Sequence, residues 1–193
     1  MWQSPLYIYV QVNVAVYPVY LCSGKCGSLP CDGRFYDTPA TSTCYANIST
    51  NYKFYLAFEN SICPHYVTEK SFRTLLWGVV PIVMATSDIT EHLPPNSYID
   101  VSNFTSPQHL ATYLQLLDKR DDLYNRYFEW RKHYEVVITD KISKDFLCNI
   151  CDLVKRTQNV KPKSKDFLPW FDSLGKCENS TEFGKRIGLS EFK

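Results

Sequence analysis

Residues 53–84 read KFYLAFENSICPHYVTEKSFRTLLWGVVPIVM, and this stretch decides the fold class. Its first seven residues are dense in aromatic and apolar side chains, as is typical of a strand. A helix is predicted to begin near Thr68, because the apolar residues that follow are spaced at i, i+3 and i+4, and Gly78 is expected to end it. Residues 79–84 are typical of a short buried strand. Strand, helix and strand within about thirty residues predict an α/β fold with a parallel sheet.

The regions that follow this unit extend the prediction. Pro81 argues against a strand position in the middle of a ladder but is tolerated at a strand start. Residues 98–101 are a further strand candidate. Ser106-Pro107 is a good N-cap and first-turn pair and predicts a helix, followed by a second helix over 121–134. Upstream, residues 6–20 are strand-like: the valines at 10, 12, 14 and 16 alternate with Gln11, Asn13 and Ala15, which is the period of a strand.

Composition argues against a nucleic-acid-binding protein and favours a protein of the secretory pathway. The chain has 193 residues and a net charge of +1, which gives no electrostatic case for a nucleic-acid partner. Eight cysteines and three N-glycosylation sequons, at Asn47, Asn103 and Asn179, favour an oxidising, secretory compartment. Residues 1–21 lack the pattern of a signal peptide, and no stretch is long and apolar enough to span a bilayer. We therefore expect that the N-terminal part of a longer protein lies upstream of residue 1.

Four residues in the turn from the first strand to the helix are candidate binding residues: Asn60, Tyr66, Glu69 and Lys70. Ligands bind beyond the carboxyl ends of the strands in open α/β sheets, and a helix N-terminus offers backbone N–H groups to phosphate. Lysine can neutralise a diphosphate, and a carboxylate can accept hydrogen bonds from ribose hydroxyls. The alternative is a Glu-Lys pair on a solvated helix face. No GxGxxG or P-loop motif is present.

Histidines and cysteines offer little for a metal site. The four histidines show no ligand spacing, so no metal is predicted, and no nucleophilic triad is indicated. Cys148 and Cys151 form a CxxC pair that fits half of a zinc site, but a disulfide is favoured in an oxidising compartment. Two further pairs are predicted: Cys26 with Cys31 inside one loop, and Cys44 with Cys63. The second must overcome the strand between its members, which separates its ends by about 23 Å.

A resemblance to a known protein family adds information that residue spacing does not provide. The chain resembles the α1,3/α1,4-fucosyltransferases (glycosyltransferase family ten) from about Lys25 to Cys177. The motifs that carry this resemblance are YKFYLAFENS at 52–61, YVTEK at 66–70, GVVPIV at 78–83, LPPNSYI at 93–99, YFEWR at 127–131, CNIC at 148–151 and the Trp170-Phe171…Cys177 ending.

The resemblance implies a GT-B fold of two Rossmann-like lobes, with this chain as the C-terminal, donor-binding lobe. It implies GDP-fucose as the donor, contacted by residues 60, 66, 69 and 70. The implied reaction is an inverting transfer of L-fucose, without a metal, to N-acetylglucosamine-containing glycans on glycoproteins or glycolipids in the Golgi. The resemblance also implies that the general base and a membrane anchor lie upstream of residue 1, so no catalytic residue is assigned in this chain and membrane association is expected only through that anchor.

The expected organisation is a poorly matching segment at 1–24 with strand character, a GDP-fucose-binding lobe at 25–156 and a C-terminal tail at 157–193. The sequence departs from the family where Ala85-Thr86-Ser87-Asp88 replaces a longer turn. Two functions remain open: part of an active fucosyltransferase, or a nucleotide-sugar-binding remnant without transfer activity. A small secreted disulfide protein is a third reading, which the central motif disfavours.

Overall fold

The structure, a computed structural model, describes residues 43–59, 61–84, 87–137, 139–157, 159, 169 and 177–186. The predicted strand at 6–20, the predicted Cys26–Cys31 bridge and the candidate binding residue Asn60 lie outside these ranges. The chain divides into two compact units. One contains Met1–Tyr134 and Cys177–Lys193, and the other contains Glu135–Lys176.

The first unit is built on a parallel three-stranded sheet, in which the strands lie side by side in chain order. The described helices and strands of both units, in chain order, are α1 (Thr43–Asn51), β1 (Phe54–Phe58), α2 (Glu69–Trp77), β2 (Val80–Met84), β3 (Ile99–Asp100), α3 (Pro107–Lys119), α4 (Asp121–Tyr124), α5 (Thr139–Thr157) and α6 (Ser180–Arg186). Short 3-10 helices occupy Ser87–Glu91, Val101–Asn103 and Asn125–Lys132. The predicted α/β class with a parallel sheet is confirmed.

Helix α2 begins and ends where the sequence predicts. Thr68 is its N-cap residue, in an extended conformation, and Gly78 follows its last turn with a φ of 79°. The Gly78 N–H donates to the Leu75 carbonyl, and the Val79 N–H donates to the Thr74 carbonyl. This left-handed ending turns the chain directly into β2, which pairs with β1 from Phe54↔Val80 to Phe58↔Met84. Pro81 is the second residue of this central strand.

Both faces of the central strand β2 are covered, because all five of its residues are buried. Val80, Ile82 and Met84 join the larger core. The other buried members of that core are Ile62, Ile99, Val101, Leu117 and Phe183. A smaller cluster, which includes the stacked rings of Tyr45 and Trp77 at 4.5 Å, joins α1 to the end of α2. Burial on both faces explains why β2 is apolar throughout rather than alternating.

The segment after the sheet is partly as predicted. Ser106 caps α3, its Oγ accepting a hydrogen bond from the His109 N–H at 3.1 Å. The predicted strand at 98–101 is confirmed but contains only Ile99–Asp100. The single helix predicted over 121–134 is wrong: four α-helical residues are followed by the 3-10 helix Asn125–Lys132. Trp130 is buried and Phe128 partly buried in this tighter helix, so packing overrides the α period.

One disulfide is described, and it corrects the predicted pairing of Cys63. Cys63 is bonded to Cys177, not to Cys44. Strand β1 lies between α1, which contains Cys44, and the turn that contains Cys63, so the two are held at different ends of the strand. Cys177 instead lies three residues before the start of α6, whose Phe183 is fully buried in the larger core. The Glu178 N–H also donates to the Ile62 carbonyl at 2.7 Å, so the C-terminal segment is held beside the turn after β1.

The second unit contains α5, which carries the CxxC pair. Cys148 and Cys151 are both free and exposed, so the prediction that they form disulfides is wrong. Residues at i and i+3 on a helix have Cβ atoms about 5–6 Å apart, beyond the roughly 3.8 Å of a disulfide. No helix in the described part of either unit is long and apolar enough to cross a membrane.

All three sequon asparagines are exposed. Asn47 lies within α1, Asn103 ends a 3-10 helix, and Asn179 precedes α6 with its Oδ1 accepting from the Thr181 N–H. Glycosylation at these positions remains a prediction.

Candidate functional site

The candidate site lies at the carboxyl end of β1, in the turn from Phe58 to the first residues of α2. Because β1 and β2 are parallel, their carboxyl ends lie at the same edge of the sheet. The turn is closed on one side by a hydrogen bond from the Tyr66 N–H to the Cys63 carbonyl at 3.2 Å. The Cys63–Cys177 disulfide ties its middle to the segment before α6. The position is the one at which α/β sheets bind ligands.

Glu59 is the most buried charged residue of this turn, with its side chain 4% exposed. One carboxylate oxygen, Oε1, accepts a hydrogen bond from the Thr68 N–H at 2.7 Å. The other, Oε2, accepts from the Thr68 hydroxyl at 2.7 Å. A buried carboxylate is costly unless it is paired and hydrogen-bonded, and Thr68 supplies the hydrogen bonds at the positive end of α2. Glu59 therefore fixes where the helix begins relative to the strand.

Lys70 is held over the same end of the strand. Its Nζ donates to the Phe58 carbonyl at 2.9 Å and lies 3.3 Å from Glu59 Oε2. Its side chain is 35% exposed, so part of it remains open to solvent. An ammonium has three N–H donors, and these contacts engage two of them. The third is left for an oxygen that arrives from solvent.

For the remaining candidate binding residues, the structure gives position and exposure. Glu69 is the first residue of α2 and is half-buried. Tyr66 is 39% exposed, two residues before the helix N-cap. The structure thus puts Glu69 and Lys70 in one helical turn beside the Tyr66 turn, while the position of Asn60 is not described.

The helix N-terminus differs from the simple phosphate site expected from the sequence. The Thr68 N–H already donates to Glu59, so it is not one of the groups offered to a ligand. The backbone N–H groups of the first turn, at residues 69–71, have no acceptor within the helix. Together with the Lys70 ammonium they form the electropositive part of the site.

Glu59 is not among the site residues predicted from the sequence. It is the only acidic residue between Lys53 and Thr68, and it directly follows an apolar strand. A carboxylate in that position is buried unless the strand ends early, and a buried carboxylate needs partners. The sequence therefore contains the signal of a buried carboxylate at Glu59. Which residues donate hydrogen bonds to it depends on how the turn folds back.

Comparisons with known proteins identify a family to which the chain is similar. The model of the family described as "Glycosyltransferase family 10 (fucosyltransferase) C-term" matches residues 8–170. The match thus begins upstream of the limit near Lys25 that the motifs indicate.

Curated relatives are similar over much of the chain. "Alpha-(1,3)-fucosyltransferase C" of Drosophila melanogaster is 41% identical over 128 residues, 66% of this chain and 28% of the relative. "Glycoprotein 3-alpha-L-fucosyltransferase A" of the same organism is 38% identical over 159 residues, 80% of this chain and 30% of the relative. The mouse "4-galactosyl-N-acetylglucosaminide 3-alpha-L-fucosyltransferase 9" is 42% identical over 125 residues, 64% of this chain and 32% of the relative. The matched part of this chain thus spans less than a third of the length of each of these relatives.

Proposed function

The chain belongs to glycosyltransferase family 10, the fucosyltransferases, and we propose that it binds GDP-fucose at the turn between Phe58 and Lys70. The observation that carries the proposal is the Lys70 ammonium, fixed by the Phe58 carbonyl and Glu59 at the start of a helix. Family membership implies a nucleotide-sugar donor and a glycan acceptor. The identity of the donor as GDP-fucose and of the acceptor as an N-acetylglucosamine-containing glycan is part of our proposal.

The diphosphate is assigned to Lys70 and to the first turn of α2. Both are positive, and both are held in place before a ligand arrives, so little ordering is lost on binding. Glu69 is assigned to the ribose hydroxyls, which a carboxylate recognises by accepting hydrogen bonds. Tyr66 and Asn60 are assigned to the rim of the same site. The buried Glu59 is a positioning residue, because it acts on the donor through Lys70 and Thr68.

The proposed reaction is an inverting transfer of fucose to an acceptor hydroxyl, with GDP as the leaving group. As the bond between fucose and GDP breaks, negative charge grows on the diphosphate oxygens, and the Lys70 ammonium and the helix N–H groups stabilise it. The acceptor hydroxyl must lose its proton to a base within hydrogen-bond reach. We assign that base to the acceptor lobe that the resemblance implies, and no residue of this chain to the role.

A Golgi lumenal location is proposed on two grounds. Relatives of this family include enzymes named for glycoprotein fucosylation. The Cys63–Cys177 disulfide fits an oxidising compartment, because disulfides are rare in reducing ones.

The decisive experiment measures the affinity of the purified chain for GDP by calorimetry. Lys70→Ala removes a charge-assisted hydrogen bond worth about 1.5–3 kcal/mol, so we expect affinity to fall about 10- to 150-fold. Lys119→Ala is the matched control, because Lys119 is an exposed lysine at the end of α3. Equal affinity of the folded Lys70→Ala variant and the control would contradict the site.

The alternative function is a nucleotide-sugar-binding remnant without transfer activity. It gives the same GDP affinities, so it is separated by transfer of labelled fucose from GDP-fucose to N-acetyllactosamine. A protein that binds GDP through Lys70 but does not transfer fucose, when assayed with its acceptor lobe present, is the remnant.

A further inference from the structure

A second cluster of chemistry-bearing side chains lies in the same loop system and plays no part in the proposed donor site. His65, Glu91 and His92 each offer one ligand atom, and these three atoms all lie within 4.8 Å of one another. The sequence showed no ligand spacing among the histidines, because His65 follows β1 and His92 follows β2. We propose that these three residues bind a divalent transition-metal ion, with Zn²⁺ the best fit.

The distances between the side chains are close to those a metal requires. Metal–ligand bonds of about 2.0–2.2 Å with tetrahedral angles place ligand atoms roughly 3.3–3.6 Å apart. The His65 Nδ1 atom and the Glu91 Oε2 atom are already 3.9 Å apart. Both side chains are about two-thirds exposed, so they are able to rotate the remaining fraction of an ångström without disturbing the core.

The backbone that carries His65 is held firmly. His65 has a φ of 58°, in the left-handed region that few non-glycine residues adopt. The neighbouring Cys63 is fixed by its disulfide to Cys177, and its carbonyl accepts from the Tyr66 N–H. Strained conformations of this kind cluster at ligand-binding positions, where the surrounding structure maintains them.

The backbone that carries the other two ligands is equally fixed. The N–H groups of His92 and Leu93 both donate to the Ile89 carbonyl, at 3.0 and 3.1 Å. Ile89 and Leu93 are 2% and 3% exposed, so the turn that presents Glu91 and His92 is anchored in the core on both sides. The rings of His65 and His92 stand edge to face, with centroids 5.8 Å apart. Two rigid turns thus present three ligands to one point.

The ligand set selects the class of metal. Two imidazoles and one carboxylate are the ligands of three-residue zinc sites that leave a fourth position for water or another ligand. Mg²⁺ and Ca²⁺ prefer sites made of oxygen ligands alone, so they fit poorly. The alternative explanation of the cluster is a set of pairwise contacts, namely the approach of His65 to Glu91 and the edge-to-face contact of the two imidazole rings, and the Zn²⁺ titration distinguishes the two.

A bound ion would join the turn after β1 to the turn after β2. It would bind the folded state only, because the unfolded chain does not bring these residues together. Its effect is therefore to raise the unfolding temperature in proportion to the logarithm of metal concentration above the dissociation constant.

The test titrates Zn²⁺ into the chain by calorimetry after its accessible thiols have been alkylated with iodoacetamide and bound metals removed with a chelator. Alkylation removes the exposed Cys148 and Cys151 as competing ligands. The variants are His65→Gln and His92→Gln, and the matched control is His133→Gln, an exposed histidine at the end of a 3-10 helix. Loss of an outer partner of a metal ligand already weakens binding about 10- to 100-fold, so loss of a ligand is expected to weaken Zn²⁺ binding at least tenfold.

Three readouts decide the proposal. In the calorimetric titration we expect one Zn²⁺ per chain, with affinity weakened in both variants and unchanged in the control. The second readout is a rise in the unfolding temperature of the unmutated chain with added Zn²⁺. The third is nitrogen NMR of the unmutated chain, since Zn²⁺ should shift the ring resonances of His65 and His92 and leave those of His109 and His133 in place. Equal Zn²⁺ affinity in all variants, or ring shifts spread over all four histidines, would overturn the site. Either result leaves the GDP test of Lys70 unaffected.

Discussion

Glu59 shows how one buried residue organises the candidate site. Its carboxylate holds the first N–H and the N-cap hydroxyl of α2, and it lies beside the Lys70 ammonium. The helix start and the lysine are thereby fixed relative to each other. Glu59 thus links strand, helix and proposed ligand through two side chains.

Replacing Glu59 tests this role. Glu59→Ala leaves the Thr68 N–H and hydroxyl without their acceptor, and each buried donor left unsatisfied costs about 1–3 kcal/mol. We expect the free energy of unfolding in urea to fall by at least that amount for Glu59→Ala and by less for Glu59→Gln, which retains an acceptor. Glu129→Ala, at an exposed glutamate in the 3-10 helix after α4, is the control. A Glu59→Ala variant as stable as that control would contradict this role, because it would mean that water accepts the hydrogen bonds of the Thr68 N–H and hydroxyl.

Tyr124 gives a prediction for alkaline pH. Its hydroxyl donates to the Lys53 carbonyl at 2.8 Å, and its ring packs edge to face on Phe54 and Phe128. Burial, opposed by Arg131 and assisted by Asp121, raises the pKa of Tyr124 from 10.0 to about 12. The neutral phenol is therefore favoured in the folded state. This contribution is fully present below pH 10 and is lost as the pH rises from 10 to about 12.

The measurement compares the free energy of unfolding of the unmutated chain with that of Tyr124→Phe at several pH values. Phenylalanine keeps the ring contacts and removes the titrating group, so lysines and the other tyrosines contribute equally to both proteins. We expect the stability advantage of the unmutated chain to shrink between pH 10 and 12. An advantage that is constant over this window would mean that Tyr124 titrates alike in both states.

Helix α2 is held in position at both ends by residues that lie outside it. Its start is fixed by Thr68 and Glu59, and its end is fixed by Gly78 and by Arg131, whose Nη2 donates to the Leu75 carbonyl at 3.0 Å. A cation at a helix C-terminus also interacts favourably with the helix dipole. Both ends of the helix are therefore held by residues outside it, which keeps its first turn at the carboxyl end of β1.

The left-handed conformation of Gly78 is testable by two substitutions. A Cβ there would meet Arg131 Nη2 at 3.5 Å, an ordinary contact, so the cost of a side chain lies in the backbone at φ +79°. Gly78→Ala is expected to lower the free energy of unfolding by about 1–2 kcal/mol. Gly78→Asn should cost clearly less, because asparagine adopts this conformation more readily. Equal losses for the two variants would point to a steric cause instead.

At the scale of the whole molecule, the disulfide joins distant parts of the chain. Cys63 and Cys177 are separated by 114 residues, and the bridge holds α6 and its buried Phe183 against the rest of the first unit. The loop that the bridge closes contains most of the described fold. Its removal should therefore affect global stability rather than one turn.

We expect the Cys63→Ser/Cys177→Ser variant to lose about 2–5 kcal/mol of unfolding free energy, since closing a long loop restricts the unfolded chain. The control is Cys148→Ser/Cys151→Ser, whose thiols are free and exposed and whose replacement should change stability by no more than about 0.5 kcal/mol. Urea unfolding under non-reducing conditions measures both. A loss confined to the control pair would contradict the assigned bridge.

Local features of the sequence determined the elements of the sheet unit and the ends of α2. Residues 53–84 encode strand, helix and strand through side-chain period, and Thr68 and Gly78 specify the helix ends through backbone preferences within one turn. These are short-range free energies, which a sequence expresses directly. The same stretch placed Glu69 and Lys70 at the helix start.

Tertiary structure alone decided which distant residues meet. The contact of Glu59 with Thr68 and Lys70, the bond between Cys63 and Cys177, and the approach of His65 to His92 each depend on the path of a loop. The same holds for residues Asn125–Lys132, where packing favours a 3-10 helix over the predicted α-helix. Such contacts arise from the shared edge of a parallel sheet and from burial of its two faces. They leave no periodic pattern in the local sequence, so local propensity does not predict them.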